Sequence, residues 1–473
     1  MLVGRSYQKQ IIDEIMKDNR SSFVAITGRR RVGKTFLVEE TMGGQIAFRV
    51  TGIQDAPMKM QLANFAKKVF EHANTPFGLV PNNWQEAFVL LRQYLQTLSK
   101  NKKRVLFFDE LPWMNTHKSG FIQLFAHFWN DYLSKEKHFV LVICGSATSW
   151  IYKNIQNDKG GFHNRITHRL HLEPFTLGET QAFLASKNFK WTPNAIAELY
   201  MILGGIPFYL DRLKKGESVA ANIDRLFFGK EAVLANEYDN LYKALFENPH
   251  NHEAVVEALA GAQSGMNREE LMLASKVQNG GPINRTLDDL VTCGFVSIDN
   301  PLGKIRRGSI YRLNDEFSYF YHKFLSHRKA STQKSWLQFS QSQAYKIWSG
   351  YAFENLCKKH VQAILKKLGI SGIYTETAAY RKTGNSESKG FQIDLIIDRN
   401  DKAINLCECK YLATPMSIDK KYAQWLMERK SLFIQDSGTN KLVFTTLITN
   451  LPIIENQYSH DVVDVALTVE DLF

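Results

Sequence analysis

The chain has 473 residues, of which 44% are hydrophobic and 22% are charged, and its formal net charge is +12. This composition is typical of a globular protein with about two to four domains and excludes a disordered chain. No apolar run approaches the roughly 18 residues that cross a membrane, and a secretory signal is not seen. We therefore expect no membrane partner. The five cysteines are odd in number and mostly lie in apolar segments, so we expect reduced thiols in a cytoplasmic protein.

A phosphate-binding loop follows the first predicted strand. Residues 24–37 contain a short apolar strand, the pattern Gly28-x-x-x-x-Gly33-Lys34-Thr35, and an apolar run that can continue as a helix. The glycines let successive backbone N–H groups point at phosphate oxygens, while Lys34 can reach the β- and γ-phosphates and Thr35 can ligate Mg²⁺. The helix that follows directs its positive N-terminus at the same anion. We therefore predict that ATP and Mg²⁺ bind here, with contacts from Gly28, Arg29, Arg30, Arg31, Val32, Gly33, Lys34, Thr35 and Phe36.

Two carboxylates end the next buried strand. Four apolar residues, 105–108, precede Asp109 and Glu110, as in a parallel strand that is covered on both faces. Ligands of open α/β sheets bind at this edge, so Asp109 is predicted to hold Mg²⁺ and Glu110 to accept a proton from the attacking water. With Lys34 they would form the catalytic group of an ATPase. The alternative is that the two acids only cap the next helix, at Pro112.

A third strand is predicted over residues 138–146, and it also ends in small polar residues. Because the carboxyl ends of parallel strands meet at one edge of a sheet, Ser146 and Thr148 are expected near the γ-phosphate.

The motifs of residues 1–210 resemble those of the archaeal-type ATPases, a P-loop class related to the AAA+ and STAND groups. The resemblance is carried by Val3-Gly4-Arg5, the P-loop, Phe108-Asp109-Glu110, Gly145-Ser146 and residues 204–210, which resemble a Gly-Gly-x-Pro helical-lid motif. It implies that the opening segment lies near adenine and that the lid motif senses nucleotide. The acidic residue that commonly follows the opening arginine is missing from Ser6-Tyr7-Gln8-Lys9. The resemblance also suggests a phosphate-sensing role for Arg165, with a surface arginine as the alternative.

The next region has the pattern of a winged helix. Helices are predicted over 253–263, from an Asn267 cap to residue 274, and over 284–293, after a break at Gly280-Gly281-Pro282. Strands at 294–298 and 309–313 would form a hairpin. Eight lysines and arginines and two acids in residues 301–340 give a local charge of +6, half of the total. Such a patch is the footprint expected for nucleic acid.

Third helices of such modules enter the major groove, so DNA is the predicted partner. The predicted contacts are Arg285 on the third helix and Lys304, Arg306 and Arg307 in the wing. The alternatives are a winged helix that mediates only protein contacts and a solvated charged face.

A second chemical group follows in the C-terminal region. Residues 391–398 and 403–411 are predicted to be adjacent strands joined by a tight turn. Period-two alternation puts Glu408 and Lys410 on one face and the two cysteines of that strand on the other, and the hairpin can bring Asp394 beside Glu408. The two carboxylates would bind a second divalent ion, and Lys410 would lower the cost of forming hydroxide. This is the chemistry of metal-assisted phosphodiester hydrolysis.

The spacing resembles that of the PD-(D/E)XK nuclease superfamily. Its motif maps onto Asp394, Glu408 and Lys410, and the resemblance implies that Glu354 is the acidic residue often found on the first helix. The C-terminal half also resembles a nuclease-like domain that is commonly fused to archaeal-type ATPases. A polar loop, residues 381–390, is expected over this site. The alternative is that Glu408 and Lys410 form a surface ion pair on an edge hairpin.

The predicted fold class is α/β and multidomain. We expect a P-loop parallel-sheet ATPase core over 1–170, a helical lid over 171–250 after a break near residues 173–175, a winged helix over 251–330 and a small α/β nuclease-like domain over 331–473. Two functions fit: an enzyme in which ATP governs DNA cleavage at a metal-dependent site, or an ATP-dependent DNA-binding switch with a non-cleaving scaffold. Either function is compatible with a homo-oligomer.

Overall fold

The computed structural model describes residues 2–156, 160–162, 164–229, 232–246, 248–262, 264–300, 302, 308–326, 335–382 and 390–473. The chain divides into two compact units, Met1–Pro174 with Lys243–Glu247 (unit 1), and Phe175–Tyr242 with Asn248–Phe473 (unit 2). The first unit boundary lies between Pro174 and Phe175, and the predicted division into four domains stays a prediction. Within these described ranges, no helix combines the length and the apolar character needed to cross a membrane.

Unit 1 alternates strands with helices. Its helices are α1 (Ser6–Lys17), α2 (Lys34–Met42), α3 (Met58–Ala73), α4 (Trp84–Gln96), α5 (Leu111–Met114), α6 (Phe121–Asp131) and α7 (Thr148–Ile151). Its strands are β1 (Ser22–Thr27), β2 (Ile46–Thr51), β3 (Arg104–Asp109), β4 (Phe139–Cys144) and β5 (His168–His171).

The strands of unit 1 form a parallel sheet in the order β2-β3-β4-β1-β5. Strands β1 and β4 are buried at every residue, as continuous apolar runs predict for inner strands. The loops that follow β1, β3 and β4 therefore leave the sheet at the same edge. This parallel sheet confirms the predicted α/β fold class and is typical of P-loop ATPases.

Aromatic side chains fill the core of unit 1. Phe125 packs edge-on against Phe108, with ring centroids 5.0 Å apart, and stacks on Phe121 at 5.5 Å. Trp84 packs edge-on against Phe121 at 4.6 Å. Each large apolar side chain stabilises the fold by roughly 1.5–3 kcal/mol when it is fully buried. Because Phe108 directly precedes Asp109, this core holds the end of β3 in place.

Unit 2 contains most of the helices and two further sheets among the described residues. Its helices are α8 (Leu177–Ser186), α9 (Pro193–Leu203), α10 (Pro207–Leu210), α11 (Val219–Ile223), α12 (Glu237–Leu245, whose last residues belong to unit 1), α13 (Pro249–Gly261), α14 (Arg268–Ser275), α15 (Gly281–Thr292), α16 (Glu316–Phe324), α17 (Trp336–Ser340), α18 (Gln343–Lys359), α19 (Val361–Lys367), α20 (Lys420–Ser437) and α21 (Gln457–Val462). Its strands are β6 (Val296–Asp299), β7 (Ile310–Leu313), β8 (Thr375–Lys382), β9 (Phe391–Arg399), β10 (Ala403–Lys410), β11 (Leu442–Thr449) and β12 (Val465–Thr468).

The Gly-Gly-x-Pro segment joins α9 to α10. A Cβ on Gly205 would lie 1.9 Å from the carbonyl oxygen of Phe175, whose N–H donates to the Gly205 carbonyl at 2.7 Å. Pro207 begins α10, where a missing N–H costs no helical hydrogen bond. Backbone geometry therefore explains why a glycine and a proline occupy positions 205 and 207. A nucleotide-sensing role for this segment stays a prediction.

The three helices and the hairpin expected between residues 253 and 313 are present as α13–α15 and β6–β7. The Asn267 cap is confirmed, because its side-chain oxygen accepts the N–H groups of Glu269 and Glu270, each at 2.9 Å. The predicted start of the third helix at residue 284 is wrong. That helix begins at Gly281, since Pro282 is compatible with a first helical turn. The wing residues Lys304, Arg306 and Arg307 lie outside the described residues.

The C-terminal sheet is mixed, with strand order β12-β11-β10-β9-β8. Strands β8, β9 and β10 are antiparallel, whereas β10, β11 and β12 are parallel. Helix α20 is the connection between the parallel strands β10 and β11, and its Phe433 packs with Ile404 and Leu406. The two predicted strands are confirmed as β9 and β10. The polar loop expected over the site lies mostly outside the described residues, which leave out 383–389.

Candidate nucleotide and metal sites

The P-loop connects β1 to α2. Gly28 has a φ of 137°, and a Cβ there would lie 2.4 Å from the carbonyl oxygen of Leu172, so only glycine fits. Gly33 is the N-cap of α2. The buried Lys34 ammonium donates to the carbonyl oxygens of Gly28 at 2.8 Å and Arg29 at 2.9 Å. It therefore lies against the loop backbone, within reach of an anion bound at the N-terminus of α2.

The other predicted contact residues of the loop differ in exposure. Arg29 and Val32 are buried, Arg30 and Arg31 are partly exposed, and the Phe36 ring is exposed. The Val32 carbonyl accepts a hydrogen bond from Arg5 Nη2 at 3.2 Å. The opening segment of the chain therefore lies against the P-loop.

Asp109 lies at the end of β3 and faces the P-loop helix. Its Oδ2 accepts a hydrogen bond from Thr35 Oγ1 at 3.0 Å, so the structure brings the two predicted Mg²⁺ ligands of this site together. Its Oδ1 accepts a hydrogen bond from Cys144 Sγ at 2.7 Å. Burial and the Asp109 charge raise the pKa of the Cys144 thiol well above its usual value. The thiol therefore stays protonated and acts as a donor to the carboxylate.

Glu110 is held by Ser146 from the end of β4. The Ser146 backbone N–H donates to Glu110 Oε2 at 2.8 Å, and its hydroxyl donates to Oε1 at 2.6 Å. Glu110 has a φ of 46°, a left-handed conformation that costs energy in a residue other than glycine and is frequent at functional sites. Glu110 is the N-cap residue of α5 but makes no side-chain cap hydrogen bond, so capping does not account for the position of its carboxylate.

Thr148 and Arg165 complete the predictions for unit 1. Thr148 Oγ1 accepts the N–H of Gly28 at 3.3 Å, so Thr148 supports the start of the P-loop. The Arg165 side chain is exposed, and its backbone N–H donates to the Phe162 carbonyl at 3.0 Å. The phosphate-sensing role of Arg165 stays a prediction.

In unit 2, Asp394 and Glu408 lie on neighbouring strands. Strands β9 and β10 are antiparallel, and their paired register ends with Leu395 opposite Cys407, the residues next to Asp394 and Glu408. Asp394 Oδ2 accepts the N–H of Cys409 at 3.0 Å. Burial, followed by the charges of Glu408 and Glu354, raises the pKa of Asp394 to about 7. The carboxylates therefore lie close enough to act on one another.

Glu408 is engaged by two cations. Its Oε1 lies 2.6 Å from Lys410 Nζ, and its Oε2 is paired with Arg429 Nη1 from α20. Burial opposes protonation of Lys410, but Glu408 outweighs it and raises the Lys410 pKa. Glu408 is only 4% exposed. The ion pair of Glu408 and Lys410 therefore forms, but its carboxylate is buried and not on the surface.

Glu354 is a buried residue of α18. Its Oε1 lies 2.6 Å from Lys358 Nζ and 3.6 Å from Arg312 Nη1, and Arg312 Nε in turn lies 2.6 Å from Asp299 Oδ2. Since Arg312 belongs to β7 and Asp299 to β6, these ion pairs link the hairpin to α18. The same glutamate acts electrostatically on Asp394.

The donor set of the C-terminal site fits Mg²⁺. In the described part of the chain, no group of three or more histidine, cysteine, aspartate or glutamate side chains has the geometry to hold a metal ion. Mg²⁺, however, is commonly bound by one or two carboxylates and completes its shell with water and substrate oxygens. Asp394 and Glu408 supply two such carboxylates, and a divalent ion at this site stays a prediction.

Sequence reasoning missed Arg49 and Arg429. Arg49 lies in β2, with Nη2 3.7 Å from Asp109 Oδ2 and Nη1 paired with Glu39. In the sequence, Arg49 stands out only as a single charged residue inside an apolar strand. The order of the strands in the sheet, which the sequence does not reveal, brings it close to Asp109. Arg429 follows Glu408 by 21 residues, and a helix face that points at β10 cannot be inferred from a local motif.

Residues 2–213 match the model of a protein family described as an ATPase domain predominantly from Archaea. The uncharacterised protein MJECL04 of Methanocaldococcus jannaschii is 23% identical over 418 residues, which cover 87% of this chain and 88% of that protein. Because 418 residues exceed the family match, this similarity extends into the C-terminal half.

Two solved structures are also similar to the chain. The Walker-type ATPase PABY2304 of Pyrococcus abyssi has a TM-score of 0.49 at 15% identity and covers 68% of this chain and 96% of that one. The ORC2 protein of Aeropyrum pernix has a TM-score of 0.41 at 14% identity and covers 67% and 90%. The family match, taken with the geometry of the P-loop, leads to one assignment: the chain carries, over residues 2–213, a P-loop ATPase domain of the archaeal type.

Proposed function

We propose that this protein couples ATP binding and hydrolysis in unit 1 to DNA binding and metal-dependent DNA cleavage in unit 2. The observation that carries the proposal is the neighbouring pair of carboxylates, the partly buried Asp394 and the buried Glu408, with Lys410 at the second of them, in a chain that also has an ATPase domain. Paired carboxylates with an adjacent lysine suit hydrolysis of a phosphodiester through a bound divalent ion.

In unit 1, each residue has a separate part in ATP hydrolysis. Lys34 neutralises charge on the β- and γ-phosphates, and Thr35 and Asp109 would hold Mg²⁺, which supplies further neutralisation when it is bound. Glu110 accepts the proton of the attacking water. The two hydrogen bonds from Ser146 orient that carboxylate.

In unit 2, Asp394 and Glu408 would hold the second divalent ion, which activates water and polarises the phosphodiester when it is bound. Lys410 lies 2.6 Å from Glu408 and offers positive charge where hydroxide forms. The buried setting strengthens these electrostatic interactions, because fewer water molecules screen them.

DNA binding is supported by the order of elements in α13–α15 and β6–β7. An isolated antiparallel bridge joins Met266, just before α14, to Tyr311 of β7, at the position where a winged helix has its first strand. Arg285 is exposed on α15. Together with the basic residues Lys304, Arg306 and Arg307, it would supply phosphate contacts on one module.

The test of cleavage is incubation with plasmid, linear and single-stranded DNA, with Mg²⁺ or Mn²⁺, with and without ATP. The wild type and the control Asp401→Ala, which alters an exposed turn, should cleave, whereas Asp394→Ala should not. ATP hydrolysis should be equal in all three proteins, because it needs only the P-loop site. Cleavage that survives Asp394→Ala would refute the assignment.

The test of DNA binding is the salt dependence of affinity in the double variant Arg306→Glu, Arg307→Glu. Each lost phosphate contact should reduce the slope of log affinity against log salt by about one. The matched control is the double variant Lys214→Glu, Lys215→Glu, which reverses two exposed charges outside α13–α15 and should leave the slope of the wild type. An unchanged slope in the arginine variant would place DNA on another surface.

The second candidate is an ATP-dependent DNA-binding switch with a non-cleaving scaffold. It is favoured by one observation, that both oxygens of Glu408 are already engaged by Lys410 and Arg429. In that case no divalent ion should support cleavage by the wild type, while ATP should still change DNA affinity.

A further inference from the structure

We propose that Arg429 is the phosphate-binding residue of the C-terminal site. It holds Glu408 in the resting protein and transfers its hydrogen bonds to a phosphodiester when a divalent ion takes the carboxylate. The inference rests on the function proposed for this site and adds to it the residue that recognises the substrate anion.

The Arg429 guanidinium is fixed from several sides. Nη1 pairs with Glu408, and Nη2 donates to the Gln392 carbonyl of β9. The guanidinium carbon lies 4.2 Å from the centroid of the Trp425 ring, a cation–π distance. Arg429 is only 8% exposed. A planar fork held in this way is ready to bind an anion without a large loss of side-chain freedom.

Two polar groups on this side of α20 are buried without a hydrogen-bond partner among the described residues. They are Nε of Arg429 and the hydroxyl of Tyr422. Both belong to the helix that contacts Glu408, seven residues apart and therefore on one face. A buried donor without a partner destabilises the folded protein, and a purely structural ion pair would not require one. A substrate oxygen would satisfy such a donor.

Charge balance gives the order of events. Glu354, Asp394 and Glu408 bring three carboxyl groups to this region, and Lys410 and Arg429 both bind the same one. A divalent ion that binds Glu408 competes with these cations for the carboxylate oxygens, and in this proposal Arg429 is the cation that gives way. The displaced Arg429 fork then faces a phosphodiester, whose negative charge it can bind through two N–H groups. The ion and the phosphodiester should therefore bind cooperatively, with Arg429 as the link.

The experiment is a Mn²⁺ titration followed by electron paramagnetic resonance, with and without a single-stranded phosphorothioate oligonucleotide. The difference between the wild type and Asp394→Ala reports the C-terminal site. In the wild type the oligonucleotide should tighten Mn²⁺ binding by about tenfold, a typical coupling between linked sites. In Arg429→Met, Mn²⁺ alone should bind about threefold or more tightly, because a competing cation is gone, and the oligonucleotide effect should be lost.

Two further variants make the result decisive. Lys421→Met removes an exposed charge from the same helix and should behave as the wild type. Arg429→Lys keeps the charge without the fork, so Mn²⁺ affinity should stay near that of the wild type while the oligonucleotide effect falls. This variant decides the question if Arg429→Met does not fold.

The possible failures can be told apart. Identical Mn²⁺ titrations of the wild type and Asp394→Ala would overturn the proposed function together with this inference. A wild-type site that binds Mn²⁺ through Asp394, with an oligonucleotide effect unchanged in the Arg429 variants, would overturn the inference alone.

Discussion

The two sites hold their carboxylates in opposite ways. In the P-loop site, neutral donors from Thr35 and Cys144 engage Asp109, and Ser146 engages Glu110. In the C-terminal site, two cations bind the single carboxylate of Glu408. Neutral donors orient a carboxylate and leave its charge for a metal ion, whereas cations compete with the ion. The first arrangement suits a site that can bind a metal ion at any time. The second suits a site that forms only when the ion and the substrate bind together.

The largest effect, on ATP affinity, is expected when Lys34 of the P-loop is replaced. Lys34→Ala should weaken ATP binding by roughly a thousandfold, since two charge-assisted contacts to phosphate are lost. Isothermal titration calorimetry measures the change, and Lys17→Ala, an exposed lysine of α1, is the matched control. Equal ATP affinity in the wild type and Lys34→Ala would remove the basis for the whole comparison.

The next prediction concerns the carboxylate of Glu110, which Ser146 orients and whose negative charge accepts a proton. Glu110→Gln should keep ATP affinity and lower kcat for ATP hydrolysis by roughly a hundredfold or more, because the amide cannot accept the proton of water. The same isosteric change at the other site, Glu408→Gln, should leave ATP hydrolysis intact. A phosphate-release assay and a nucleotide-binding assay on both variants check this. Equal losses of kcat in the two variants would show that the sites are not separate.

A pH effect should distinguish unit 2 from unit 1. His360 Nε2 accepts the N–H of Leu177 at 2.9 Å, and its Nδ1 lies 2.8 Å from the Leu356 carbonyl. Burial lowers the pKa of His360 from 6.5 to about 4. The folded value lies below the unfolded value, so this stabilisation is complete above pH 6.5 and is lost as the pH falls towards 4. The loss should reach about 3 kcal/mol in the free energy of local opening.

Hydrogen exchange of the Leu177 amide between pH 4 and 7 measures that loss. In His360→Gln the pH dependence should flatten, because glutamine can bond the amide but does not titrate. Amides of α4 in unit 1, a helix without histidine, are the internal reference and should show no such step. A pH profile of Leu177 that is the same in His360→Gln and the wild type would contradict the assignment.

The smallest effect concerns Arg49, a cation near Asp109. Arg49 lies 3.7 Å from that carboxylate and is 35% exposed, so solvent screens the pair. Arg49→Ala should lower the Mg²⁺ concentration for half-maximal ATP hydrolysis by about threefold, since a weak competitor is removed. Arg92→Ala, an exposed arginine on α4, is the control. A higher Mg²⁺ requirement in Arg49→Ala would show that Arg49 supports the ion and does not compete with it.

The difference between the sites also explains what could be predicted from the sequence. The P-loop is formed by consecutive residues, and a single left-handed glycine and a helix N-terminus define it, so its elements were predictable from a local pattern. Asp394 and Glu408 were predictable as neighbours because a hairpin and period-two alternation fix their faces. The start of α15 was missed because a Gly-Gly-Pro sequence is typical both of a break and of a first helical turn.

The charged partners were not predictable. Arg49 reaches Asp109 only through the strand order, and Arg429 reaches Glu408 through a crossover helix. Neither relation leaves a fixed spacing in the sequence. Partners that complete a site from another element depend on tertiary packing, which no local pattern contains.

The burial of all five thiols has a practical consequence. Cys144 lies in unit 1 beside Asp109, whereas Cys293, Cys357, Cys407 and Cys409 lie in unit 2, and each is a buried thiol. An alkylating reagent can therefore modify a thiol only after the surrounding structure opens. Mass spectrometry of the labelled peptides would time the opening of each unit in the unmodified protein. Nucleotide should slow alkylation at Cys144, and divalent ion with oligonucleotide should slow it at Cys409.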